Sequence, residues 1–96
     1  MQATEFKTTF WQDFTIADHF GENAVRDTFN RASEWQYDYR YVTDLVMVLN
    51  RKIWQHYEAG NKHLAIVYDE LWWTAREWAL DNLKGDEWQY FYDMTD

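Results

Sequence analysis

At 96 residues the chain has room for one domain, and roughly 60–65% of its unfolded surface can be buried on folding. Hydrophobic residues make up 47% and aromatics 21%, too ring-rich for intrinsic disorder; the mean hydropathy of −0.74 reflects a scale that marks down Trp and Tyr. Seventeen acids against nine bases give a net charge of −8, which argues against a nonspecific binder of nucleic acid or anionic membranes.

No run reaches the ~18 apolar residues of a membrane span. Met1 to Thr9 carries no basic-then-apolar leader, so a cytoplasmic protein is expected. The absence of Cys excludes disulfides, a thiolate nucleophile and thiolate metal ligands. The chain has no Pro, the strongest helix breaker, and its three glycines, Gly21, Gly60 and Gly85, each follow a helix-compatible run. The sequence therefore predicts an all-α fold, a compact bundle of four to five helices over residues 1–96, punctuated by glycine.

The first helix is expected from Thr8 or Thr9 to Phe20, with Phe10, Phe14, Ala17 and Phe20 on one face and Gly21 as its stop. The second runs from an Asn23 cap to about Trp35, with Val25, Phe29 and Ala32 inward. From Glu34 to Tyr41 aromatic and polar residues alternate. That is a strand period, but no comparable strand exists to pair with it, so a connection or helix end is preferred. The third helix, about Tyr41 to Ala59, carries Val42, Leu45, Val46, Leu49, Ile53 and Tyr57 on its apolar stripe. Thr43 and Asp44 mark a start nearby, and Gly60 marks its end. The fourth runs from an Asn61 cap to Leu83, with Leu64, Val67, Leu71, Ala75, Trp78 and Leu83 inward and Gly85 closing it. A short fifth, Asp86 to Tyr92, presents Trp88, Phe91 and Tyr92.

Twenty rings exceed what such a bundle needs inside. Trp11, Trp54, Trp72 or Trp73, and some of Tyr37, Tyr39 and Tyr41 fall off the inward stripes; adjacent Trp72 and Trp73, about 100° apart, cannot both face one direction. Partial burial with wet polar tips is the ordinary explanation; an exposed aromatic patch at an interface is the functional one. Charge is also segregated. Residues 1–38 carry seven acids and three bases, residues 39–63 two and four, and residues 64–96 eight and two. The third helix is thus a basic strip bearing Arg40, Arg51, Lys52 and Lys62, and the last third is strongly acidic. Helices complementing one another account for this simply; acids imitating duplex phosphates are the sharper reading.

Catalytic patterns are missing. There is no H-E-x-x-H, no Glu-x-x-His pair, no phosphate-binding glycine loop and no G-x-S-x-G elbow. His63, Asp69 and Glu70 lack the spacing of a metal motif, and Glu77 with Asp81 is a commonplace helical carboxylate pair. No enzyme, cofactor or metal is expected. Residues 15–31 outline a helix-turn-helix, with Ala17 four before Gly21 and with Arg26, Asn30 and Arg31 on the second helix. Asp27 stands where that motif packs an apolar residue, and Asp18, Glu22 and Asp27 would face phosphates, so direct DNA binding is disfavoured.

The string Thr9-Phe-Trp-Gln-Asp-Phe-Thr-Ile-Ala-Asp-His-Phe-Gly21 resembles uncharacterised small acidic proteins carried on conjugative transposons and related bacterial mobile elements. So do Leu49-Asn-Arg-Lys-Ile-Trp-Gln-His-Tyr57, Tyr68-Asp-Glu-Leu-Trp72, Asn82-Leu-Lys-Gly-Asp86 and Tyr90-Phe-Tyr92. The resemblance implies an anti-defence protein, a transfer accessory or a small regulator, and it transfers no catalytic or binding residue.

The leading expectation is a non-enzymatic interaction or regulatory module whose partner is another protein or a second copy of itself. Trp72 and Trp73 would be its anchor rings, inside an acidic rim of Asp69, Glu77 and Asp81. The alternatives are a nucleic-acid mimic that blocks a DNA-handling enzyme and a DNA-binding regulator using residues 15–31.

Overall fold

A computed structural model describes residues 3–32 and 38–95, with side chains from Thr9 onward. Five helices follow one another: α1 (Ala3–Asp18), α2 (Glu22–Arg31), α3 (Tyr39–Glu58), α4 (Lys62–Asn82) and α5 (Gly85–Thr95). No strand occurs among the described residues. The chain is all-α, as its sequence predicts. Residues 33–37, which include the first half of the alternating stretch, lie outside the described residues; Tyr39 and Tyr41 already belong to α3.

The long helix α3 is the centre, packing on α1, α4 and α5, while α2 lies against α1 and α4. Phe10, Phe14 and Ala17 of α1, Val25 and Phe29 of α2, Val42, Leu45, Val46 and Leu49 of α3, and Phe91 of α5 fill one continuous core. From α4 come Val67, Leu71 and Ala75, as the helical period predicts, and also Tyr68 and Ala79; Leu83, expected inward too, is buried just past the helix end as its C-cap. A radius of gyration of 12.8 Å fits a single close-packed unit, since about 12.5 Å is expected at this length.

Helix ends depart from the sequence-based expectation in instructive ways. Helix α1 finishes at Asp18, before Phe20, and Phe20 is 78% exposed rather than inward. Gly21, at φ 102°, is the N-cap of α2, displacing Asn23 from that role, and its carbonyl accepts from Val25 N. That backbone region is closed to side chains with a Cβ. Helix α3 is capped by Asp38, whose carboxylate accepts from Arg40 N at 2.8 Å; Thr43 and Asp44, expected to mark the start, are buried inside the helix. Gly85 opens α5 rather than closing α4.

The α3–α4 turn is closed by two backbone hydrogen bonds. Gly60 N donates to Tyr57 O at 3.2 Å and Asn61 N to His56 O at 2.8 Å, with Gly60 at φ 83°. This double bond is the Schellman arrangement, which satisfies carbonyls that the helix end would otherwise orphan. It also sets Asn61 beside His56.

Candidate interaction surface

The stripe of α3 continues beyond Leu49 through Lys52 and His56, not through Tyr57 as expected from the sequence. Lys52 and His56 are buried and Tyr57 is exposed. Lys52, placed by sequence on a basic outer strip, is instead the most enclosed cation of the described chain; only Arg40, Arg51 and Lys62 remain outside. Asp18, in the last turn of α1, receives these groups. Its Oδ2 accepts from Lys52 Nζ and from His56 Nε2, each at 2.9 Å, and its Oδ1 accepts from the Tyr68 hydroxyl. Lys52 Nζ also donates to Thr15 Oγ1 at 2.8 Å and sits 4.2 Å from the centre of the Trp11 ring. The His56 ring stacks on Tyr68, and Asn61 Nδ2 lies 3.4 Å from His56 Nδ1. Burial, reinforced by the neighbouring Asp18 carboxylate, pushes the Tyr68 hydroxyl far above the usual tyrosine range.

This cluster ties three helices together by a carboxylate and an ammonium whose charges cancel. A buried ion pair survives only with such a full set of partners. The groove between α1 and α2, about 550 Å³, is lined by Asp13, Ile16, Phe20, Ala24, Thr28 and Arg31 among others, and by no member of the cluster. The cluster pins the fold.

The outer face of α4 is built in the opposite sense. Ile66, Trp73 and Leu80 are 59%, 49% and 44% exposed. Their seven-residue spacing keeps them within about 40° of one another around the helix, a straight ridge. Asp69, Glu77 and Asp81 are exposed on its flanks. At 100° per residue, Glu77 and Asp81 fall on one side of the ridge and Asp69 on the other. Among the described residues no Lys, Arg or His comes within ion-pair distance of these three acids. Glu70, by contrast, is held by Arg26 at 2.7 Å, and Arg26 also meets Glu22 at 2.8 Å. The hydrogen bond from Arg26 holds the Glu22 carboxyl below the ordinary range, and the bond to Glu70 holds the Arg26 guanidinium above its own.

The structure separates the two adjacent tryptophans. Trp73 is on the ridge. Trp72 is half-buried, packed on the core, and faces a small hollow of about 220 Å³ with Val46, Met47, Asn50, Arg51 and Met94. Its ring meets Trp73 edge-on at 4.9 Å, and the Arg76 guanidinium lies 5.7 Å from its centre. Trp72 is thus partly packed against the core and lies edge-on beside the more exposed Trp73 ring. Ile66 and Leu80 are the ridge residues that a search for surplus rings passes over, although their spacing from Trp73 is plain in the sequence.

The remaining candidates are dispersed. His63 pairs with Glu22 at 2.7 Å and not with Asp69 and Glu70, and among the described residues no group of three potential ligands could hold a metal. Glu77 and Asp81 line neither hollow. On α2, Arg26 is engaged by two acids, while Asn30 and Arg31 are exposed. No helix among the described residues is long and apolar enough to cross a membrane. Comparison of the chain with protein-family models, with curated proteins and with solved structures gave no match.

Proposed function

We propose that the chain is a non-enzymatic protein-interaction module of a bacterial mobile element, working in the cytoplasm through the outer face of α4. The observation that carries this reading is the row Ile66, Trp73 and Leu80, three large apolar side chains left in water on one rigid helix. Lone exposed apolar residues are ordinary; a row rimmed by polar groups is the form taken by an interface core, where buried aromatics supply most of the binding energy. Trp73 is the anchor, and Asp69, Glu77 and Asp81 form the rim. The mobile-element setting rests on the sequence resemblance alone.

The test is affinity capture from bacterial lysate with the full chain and its Trp73→Ala variant, washed at low and high salt. The expected result is a protein retained at high salt by the wild type and lost by the variant. A DNA-handling enzyme that leaves at high salt and ignores Trp73→Ala would favour the mimic instead, because phosphate-like contacts weaken steeply with salt. Recovery of the bait alone would overturn both readings.

A further inference from the structure

Resting on that reading, we infer that the α4 ridge receives a single amphipathic helix of a foreign protein, with Lys or Arg flanking its apolar stripe on both sides. Shape comes first. Fourteen residues separate Ile66 from Leu80, so the ridge is about 21 Å long and one helix wide. That footprint suits one helix better than a broad globular face. Seven-residue spacing is also the repeat that two helices share when they pack lengthwise at a shallow crossing angle.

Charge then selects the occupant. Asp69 on one flank and Glu77 and Asp81 on the other form no ion pair among the described residues, and the nearby Arg76 is turned onto the Trp72 ring. A second copy of α4 laid across this one would set Glu77 against the acids of its twin, since a two-fold contact pairs a patch with itself. Like charges facing one another at an interface are repelled. Self-association through this face is opposed, nucleic acid is repelled by the same groups, and a cationic helix is drawn to both flanks.

The test uses three 21-residue peptides and the whole protein. One carries a Leu stripe flanked by Lys, the second the same stripe flanked by Glu, and the third has the Leu/Lys composition scrambled so that no stripe forms. Binding is followed by anisotropy, and its place by amide shifts of the ¹⁵N-labelled protein. The Leu/Lys helix is expected to bind at least about tenfold more tightly than either of the others, moving amides from residue 66 to 81. Trp73→Ala, and separately Glu77→Lys with Asp81→Lys, should each weaken it about tenfold or more, whereas Trp54→Ala on α3 should not. Because Glu77 and Asp81 are exposed, the charge variant tests the idea even if Trp73→Ala disturbs the helix.

If the Leu/Glu helix binds the ridge equally well, the charge rule is wrong and the interaction face stands. If the scramble binds as well as the stripe, or if shifts gather in the α1–α2 groove, the helix proposal is overturned. If no peptide moves the α4 amides, the proposal falls together with the reading on which it rests.

Discussion

The inner end of α3 and the outer face of α4 use residues against their usual preference, in opposite directions. The first buries Lys52 and His56; the second exposes Ile66, Trp73 and Leu80. The inner site closes on itself, for Asp18 takes hydrogen bonds from Lys52, His56 and Tyr68. The outer site does not close, since Asp69, Glu77 and Asp81 meet no cation among the described residues. A misplaced side chain is therefore informative only together with its partners. Charge in the core with every partner supplied is architecture, and apolar surface with none supplied is the feature on which the proposed interaction rests.

The largest effect should come from breaking the inner site. Asp18→Ala leaves Lys52 buried without its countercharge, and removing one partner of a buried pair costs about 3–5 kcal/mol. Against the ~5–15 kcal/mol total of a domain this size, the urea midpoint should fall steeply or folding be lost. Asp18→Leu combined with Lys52→Met removes both charges, and it should recover most of that loss because well-packed apolar replacements of buried pairs are often neutral. A double variant no more stable than Asp18→Ala would show that the cluster is not an ion pair in the energetic sense.

Trp72→Ala comes next, at about 2–3 kcal/mol, since a half-buried ring on the core loses less than a fully buried one. Tyr68→Phe keeps the stack on His56 and removes only the hydroxyl that Asp18 accepts, for about 1–2 kcal/mol. It also changes the pH response. Folding raises the Tyr68 ionisation above its unfolded value, so the associated stability is intact below pH ~10 and is lost as pH climbs from there towards the folded value. The slope from this one group is about 1.4 kcal/mol per pH unit. Burial raises Tyr90 as well, with help from Asp44, so the phenylalanine variant should flatten the alkaline decline without abolishing it. Urea melts of both proteins between pH 8 and pH 11 would check this; parallel declines would deny Tyr68 its part.

Helix number and most core positions are legible because they depend on local period. Phe10, Phe14, Val25, Phe29, Leu45, Leu49, Leu71 and Ala75 all follow apolar spacing and are all buried. Lys52 and His56 share that spacing, Lys52 three residues after Leu49 and His56 four after Lys52, but their polar side chains assign them to water. Only a contact 34 residues away in sequence, with Asp18, reverses the assignment. Phe20 fails for a local reason: the helix ends two residues before it, so its phase no longer applies. At the candidate surface the helical period shows only that Trp72 and Trp73 face different ways; which of them packs on the core depends on where α3 and α5 lie beside α4. Periodicity reports phase on one helix, and it says nothing about which neighbours flank that helix.

The smallest expected effect on stability is the one that most sharpens the contrast. Trp73→Ala removes a ring that is half in solvent and whose contact with Trp72 is edge-on, so the urea midpoint should move by less than about 1 kcal/mol equivalent. Helix content by circular dichroism should be unchanged. Neighbouring tryptophans on one helix would then behave as opposites, Trp72 governing stability and Trp73 governing association. The pair is its own control, because both substitutions delete the same side chain one residue apart. A Trp73→Ala variant as destabilised as Trp72→Ala would place both rings in the core, and α4 would then have lost the anchor on which its outward role depends.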